Sequence, residues 1–103
     1  VCAGTEGRFS ADDVLAAGAL IYGLHKKNIP IELDDLGLTA KFMYEHSMDD
    51  LHGVLSQTTH YSLLKDMGLQ RDLDDCLRLD TAPIVPIYSD GIVRAWYNIV
   101  DMR

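Results

Sequence analysis

The sequence predicts an α/β fold that is only partly contained in this chain. The apolar residues Val1–Ala3 have the composition of a buried strand end, and they lead into a loop with two glycines. Apolar residues then recur at helical spacing through residues 11–80. Near the end of the chain two β-branched runs flank Asp90-Gly91, which is the strongest short signal for a β-hairpin. One terminal strand and one hairpin do not complete a sheet, so we expect the sheet to be incomplete.

The chain divides into three segments of one partial domain. These are a strand end and glycine loop at 1–10, a helical region at 11–80 and a hairpin at 81–103. A chain of 103 residues has room for a modest core, since it buries roughly two thirds of its unfolded surface. A short terminal strand needs neighbours. We therefore expect a fragment of a longer fold, or the second of two chains that share one fold.

Composition and charge exclude several classes of protein. Hydrophobic residues make up 48% and charged residues 24%, as in ordinary globular proteins. A net charge of −7 argues against a nucleic-acid partner, which would favour a basic surface. Without a membrane-spanning run or a targeting tract in the sequence, we expect a cytoplasmic location and no membrane partner. Cys2 and Cys76 do not make a disulfide framework, and we expect both to be reduced and packed.

Five helices are predicted between the loop and the hairpin. The first runs from Ala11 to Lys26 and is followed by Asn28 in a left-handed conformation. The others cover residues 33–46, a short segment opened by Ser47, a segment capped by Thr58 or Thr59 that ends at Gly68, and residues 71–80. Ser10 with Asp13, and Ser47 with Asp50, have the spacing of a capping box.

The hairpin is predicted from two strand-like runs at residues 84–88 and 92–97. Pro86 lies in the first of them. Because proline has no N–H to donate to a neighbouring strand, this run is expected at an edge of the sheet.

The loop before the first helix has the composition of an anion-binding site. Gly4 and Gly7 permit a tight turn, and the helix that follows Ser10 begins with amides that have no partner within the helix. Phosphate is the usual ligand at such a helix N-terminus. The alternative is that the glycines only make the turn, as in many loops between a strand and a helix. Because the loop lacks both the lysine of a P-loop and the spacing of a dinucleotide-binding motif, neither familiar nucleotide-binding fold is indicated.

An acidic chain can bind phosphate more easily with the help of a cation. Carboxylates repel phosphate, whereas a divalent cation bridges the two groups. Of the four Asp-Asp pairs, those at 34–35 and 49–50 lie in first turns of predicted helices, where the positive end of the helix dipole favours acids and explains them. Asp12 and Asp13 differ because they adjoin the glycine loop. Among the histidines only His60, at a predicted helix start, is retained as a functional candidate, and their spacing does not support a helical zinc site.

The segment VCAGTEGRFSADDVLAAGAL resembles the Cys-Ala-Gly-Thr-x-Gly-x-Phe-Ser-x-x-Asp-Val-Leu-x-Ala-Gly signature of the 2-phosphosulfolactate phosphatase (ComB) family. Similarity continues, in order and spacing, through Thr58-Thr59-His60, Leu64, Gly68, Asp72, Cys76, Asp80, Pro86 and Asp90-Gly91. Thr58 stands where the family has serine, and Tyr61 stands where it has glycine.

The resemblance implies a Mg²⁺-dependent phosphatase that converts 2-phospho-3-sulfolactate, a small phosphate ester, to sulfolactate and phosphate in coenzyme M biosynthesis. It also implies a mixed sheet flanked by helices. Members of the family are longer than this chain, which would correspond to the C-terminal half. The expected partner is therefore the N-terminal half, and a homo-oligomer is also considered.

The resemblance and the residue patterns together give a set of candidate site residues. The substrate-binding candidates are Gly4, Thr5, Gly7, Arg8 and Ser10. Backbone amides and the Thr5 hydroxyl would hold the phosphoryl oxygens, and Arg8 would screen the substrate's anionic groups. Asp12 and Asp13 are the candidate magnesium ligands. Asp13 and His60 are the catalytic candidates, with His60 protonating the leaving alkoxide.

Two functions of another class are weighed against catalysis. The chain could bind an anion or a partner without catalysing a reaction. It could also be a helical half-domain whose exposed sheet edge docks on a companion chain.

Overall fold

A computed structural model of the chain describes residues 1–96 and confirms the α/β class. Five helices precede a two-stranded antiparallel sheet. The helices are α1 (Ala11–Lys26), α2 (Asp35–Ser47), α3 (Leu51–Leu55), α4 (Thr59–Asp66) and α5 (Gln70–Cys76), and the strands are β1 (Val85–Ser89) and β2 (Ile92–Trp96). None of the helices in residues 1–96 is both long and apolar enough to cross a membrane.

The main helix contact joins α1 to α2 through a glycine. A Cβ on Gly18 would lie 2.8 Å from the carbonyl carbon of Ala40 and 2.9 Å from Cβ of Tyr44, so only glycine permits this approach. Tyr44 then reaches the core formed with Leu15 and Leu55. This contact fixes the direction of α1, whose N-terminal turn carries two of the candidate acids.

Side-chain caps begin three of the helices as their sequences indicate. Asp34 accepts a hydrogen bond from the Gly37 amide at 2.7 Å, and Asp50 accepts one from the Gly53 amide at 2.9 Å. N-capping thus gives both acids a structural role. Thr58 caps α4 by accepting from the Tyr61 amide. The capping box predicted for Ser47 is wrong, because Ser47 is the last residue of α2 and its hydroxyl donates to the carbonyl of Met43.

Most helix bounds agree with the sequence, and the largest difference lies in α5. The range of α1 is confirmed, and Asn28 and Gly68 have the predicted left-handed φ values of 57° and 78°. Helix α2 begins two residues later than expected because Asp34 caps it. Helix α5 ends at Cys76 rather than at Asp80, whose φ of 57° is incompatible with a helix.

The predicted hairpin is confirmed with a two-residue turn. Asp90 and Gly91 have φ values of 52° and 78°, as a type I′ turn requires. Pro86 faces Ala95. Counting from the turn, this is a non-hydrogen-bonded pair, so β1 loses no bond to β2 and Pro86 lies towards the outer edge. The predicted continuation through Tyr97, and the rest of the segment to residue 103, lie outside the described residues.

Two expectations about the ends of the elements are wrong. Residues Val1–Ala3 are exposed and lie outside both strands of the described sheet. A terminal strand requires an adjacent strand for its hydrogen bonds, and among residues 1–96 the sheet consists of β1 and β2 alone. Cys2 and Cys76 are free thiols as predicted, but both are exposed rather than packed, since Cys2 lies in this unpaired segment and Cys76 ends α5.

Candidate active site

The glycine loop folds into a tight turn immediately before α1. The Thr5 amide donates to the carbonyl of Arg8, and the Arg8 amide donates to the carbonyl of Thr5, each at 3.0 Å. Gly4 has a φ of 72°, and a Cβ at this position would lie 2.6 Å from the Arg8 carbonyl oxygen. Gly4 is therefore required both by its own conformation and by the closeness of the returning chain.

Asp13 ties this loop to the first turn of α1. Its Oδ2 accepts a hydrogen bond from the Gly4 amide at 2.6 Å, across nine residues of sequence. The capping box predicted for Ser10 and Asp13 is therefore wrong. The Ser10 hydroxyl donates instead to Oδ1 of Asp12, so each acid of the Asp12-Asp13 pair holds a different part of the preceding chain.

His60 meets Asp12 at the same end of α1. The distance from Nδ1 of His60 to Oδ2 of Asp12 is 3.3 Å, and the two atoms do not form a hydrogen bond. Their side chains are 37% and 41% exposed, while the Nδ1 atom itself is buried. Two candidates that are far apart in sequence thus come together, because α4 presents its first turn to the N-terminus of α1.

The His60–Asp12 pair lies at an open cavity of about 810 Å³ between the helices, referred to below as the groove. Its apolar lining comes from α1 to α5 and includes Leu15, Ala19, Tyr22, Leu55 and Leu73. Its polar lining includes Asp12, Thr58, His60, Tyr61 and Asp80. The pair therefore joins a polar region to a larger apolar one.

The candidate residues divide into two neighbouring groups. Asp12 and His60 line the groove, and Ser10 is buried behind Asp12. Gly7 and Arg8 are exposed on the loop. None of residues 4–10 lines the groove. The turn between Thr5 and Arg8 and the bond from Gly4 to Asp13 close the loop on itself.

The carboxylates available for a metal ion already have partners within the chain. Asp12 contacts Ser10 and His60, and Asp13 holds the Gly4 amide. Residues 1–96 hold no group of three or more His, Cys, Asp or Glu side chains placed to bind one ion. Mg²⁺ commonly uses only one or two carboxylates together with waters and substrate phosphate, so two acids on one helix turn remain compatible with it.

Sequence reasoning did not assign Tyr61 and Asp80 to the site, although both line the groove. Tyr61 was identified only as a departure from the family pattern. Asp80 was expected at the end of a helix. Its left-handed conformation places it in the irregular segment between α5 and β1, which helical periodicity does not predict.

Comparison with known proteins decides the family. The sequence profile described as 2-phosphosulpholactate phosphatase matches residues 1–91. The chain belongs to this family. The matched residues include the glycine loop, both acids at the start of α1, and His60. The resemblance found in the sequence is thereby confirmed.

Several relatives from this family carry the name "Probable 2-phosphosulfolactate phosphatase". The one from Caldanaerobacter subterraneus subsp. tengcongensis is 42% identical over 94 residues, which are 91% of this chain and 39% of that protein. The one from Clostridium beijerinckii is 39% identical over 89 residues, which are 86% of this chain and 37% of that protein. The chain thus spans about two fifths of these relatives. No solved structure matches it.

Proposed function

We propose that this chain forms part of the active site of a phosphatase that hydrolyses 2-phospho-3-sulfolactate to sulfolactate and phosphate. The observation that carries the proposal is the contact between His60 and Asp12 beside the N-terminus of α1. Both residues lie in the segment matched by the family profile. The relatives' names supply the substrate, and coenzyme M biosynthesis is the pathway expected from the sequence resemblance.

The proposed role of His60 is to deliver a proton. When the bond between phosphorus and the ester oxygen breaks, the leaving alkoxide gains a negative charge and must be protonated. Imidazole is suited to this transfer because it can hold or release a proton near neutral pH. The place of His60 at the edge of an open groove allows a substrate oxygen to reach the ring.

The proposed phosphate site is the exposed side of the glycine loop together with the first turn of α1. The Arg8 side chain and the Thr5 hydroxyl can approach an anion there, and amides at the helix start favour negative charge. The Gly4 and Thr5 amides are engaged within the loop. The Gly4 amide would contact phosphate only if Asp13 released it, and the Thr5 amide only if the Arg8 carbonyl released it. Gly7 lies on the exposed part of this loop, and Ser10 is buried at the start of α1.

We include Mg²⁺ in the proposal, with Asp12 and Asp13 as the carboxylates that would hold it. When bound, the ion would neutralise the phosphoryl oxygens and allow an acidic chain to accept a doubly anionic group. Asp13 has a second carboxylate oxygen beyond the one bound to Gly4. Asp13 can thereby serve as both a loop tether and a ligand, which is the catalytic role proposed for it.

The first test measures phosphate release by this chain alone and by a chimera. In the chimera, this chain replaces the matching segment of the Caldanaerobacter relative. With Mg²⁺ present, the chimera should hydrolyse 2-phospho-3-sulfolactate. His60→Gln should lower kcat by about 100-fold, the usual scale for losing a general acid. His46→Gln is the matched control because His46 is an exposed histidine near the end of α2. Equal turnover by the His60 variant would contradict the assignment.

A non-catalytic docking unit is the second candidate, and the exposure of the hairpin favours it. Tyr88 and Val93 face each other across the strands and are 73% and 65% exposed. Side chains of this kind are usually covered in a complete fold. A well-folded chimera that binds neither phosphate nor Mg²⁺ and releases no phosphate would favour this candidate.

A cytoplasmic location is part of the main proposal and is tested by cell fractionation.

A further inference from the structure

We propose that Ser10 and Asp12 position His60, so that its Nδ1 carries a hydrogen and its Nε2 faces the reaction. This inference rests on the proposed function and assigns Ser10 a role other than binding the substrate. The three residues form a continuous contact from the start of α1 to the first turn of α4.

The buried Nδ1 nitrogen of His60 lies beside a carboxylate. Nδ1 of His60 is shielded from solvent and, within residues 1–96, has no hydrogen-bond acceptor or donor in ideal geometry. Its charged neighbour is Oδ2 of Asp12 at 3.3 Å. An ionised carboxylate only accepts hydrogen bonds. A bare Nδ1 lone pair would be repelled by this oxygen. An Nδ1–H group would be attracted to it and would form a hydrogen bond after a small rotation of the ring.

The Asp12 carboxylate is held by Ser10 on its other oxygen. Oδ1 of Asp12 accepts the hydroxyl hydrogen of Ser10, which is only 7% exposed. Because a buried hydroxyl holds one oxygen, rotation of the Asp12 carboxylate about its Cβ–Cγ bond is restricted. The other oxygen therefore stays directed at His60. A partner that fixes one nitrogen of an imidazole determines the protonation of the other. Ser10 therefore acts through Asp12.

The consequence is a defined chemical state for His60. With hydrogen on Nδ1, the neutral ring presents a lone pair at Nε2, and the cationic ring presents an N–H there. Nε2 is then the atom that gives its proton to the leaving alkoxide. Asp12 and Ser10 are positioning residues in this scheme, since Asp12 contacts His60 and Ser10 acts through Asp12.

The test is histidine ¹H–¹⁵N NMR on the 103-residue chain, which reports the tautomer without any measurement of activity. The expected spectrum of the unmodified chain shows His60 mainly in its Nδ1–H form. Asp12→Ala should remove this preference, and Ser10→Ala should weaken it. Asp74→Ala is the matched control, because Asp74 lies 3.8 Å from Nε2 of His52 in a more exposed pair and should leave His60 unchanged. A tautomer ratio unaffected by Asp12→Ala would overturn the proposal.

Kinetics of the active chimera separate the two roles of Ser10. A positioning role predicts that Ser10→Ala lowers kcat by about 10-fold with little change in KM, as for other residues that orient a reacting group. A substrate-binding role predicts a higher KM with the His60 tautomer intact, and that result would overturn the inference. If the tautomer depends on Asp12 but neither the chain nor the chimera hydrolyses the ester, the positioning proposal stands and the proposed function fails.

Discussion

At the scale of single residues, this structure depends on a few positions where the absence of a Cβ atom allows another part of the backbone to come close. Gly4 allows the loop to return beside Arg8, and Gly18 allows α1 to touch α2. Asp12 and Asp13 are neighbours, yet one contacts a histidine from α4 and the other holds the loop. Helical geometry explains this difference, because successive residues point about 100° apart around the axis.

Gly18 gives a stability prediction at this scale. Gly18→Ala would place a methyl group against Ala40 and Tyr44, and the two helices would have to separate. We expect a loss of about 1–3 kcal/mol in the free energy of unfolding, the usual range for overpacking. Gly23→Ala is the control, because a Cβ there meets nothing within 4 Å. It should be neutral or stabilising by up to about 1 kcal/mol. Urea unfolding followed by circular dichroism measures both, and equal stabilities would contradict the packing argument.

At the scale of elements, the sequence correctly predicted the features that depend on interactions between residues close in the chain. Helix α1, the cap at Thr58 and the Asp90-Gly91 turn depend on residues close in sequence, and all were predicted correctly. The strand expected at residues 1–3 was wrong because strand formation depends on a partner elsewhere. For the same reason the sequence could nominate Asp12 and His60 separately but could not show that they meet.

The N-terminus of α2 gives the first prediction for an element. Asp34→Ala removes the acceptor for the Gly37 amide and should cost about 0.5–2 kcal/mol of stability. Asp34→Asn retains an acceptor and should cost much less. Ser10→Ala is a useful comparison at α1, because the Ser10 hydroxyl bonds Asp12 instead of a helix amide. Thermal unfolding measures the stability of each variant. A loss for Asp34→Asn equal to that for Asp34→Ala would contradict the capping role of Asp34.

The turn of the β-hairpin depends on a glycine in the left-handed conformation. Gly91 has a φ of 78°, so Gly91→Ala should destabilise the turn by about 1 kcal/mol. Asp90→Asn should preserve or strengthen it, since asparagine is favoured in type I′ turns. The readout is the NMR contact between Tyr88 and Val93, which pair across the strands. This contact should weaken in the Gly91 variant alone, while the helical circular dichroism signal is retained. Loss of both signals would mean that the hairpin and helices unfold together.

At the scale of the whole molecule, the chain is more extended than a complete domain of its length. Its radius of gyration is 15.7 Å, whereas a compact domain of this size has about 13 Å. The core holds few fully buried hydrophobic residues, and both faces of the hairpin are open. The chain covers 39% of a relative that is 42% identical to it.

This exposure predicts self-association when the chain is isolated. Light scattering over a range of concentrations should show an increasing mass, because exposed apolar strands pair with other copies. Val93→Lys introduces a charge on the open hairpin face and should reduce the association. Glu6→Gln makes the same change in net charge on the exposed loop, so it tests whether charge alone is responsible. The chimera should remain at a fixed mass, since the relative's own segment would cover the hairpin. A monomeric isolated chain at every concentration would show that this apolar surface needs no partner.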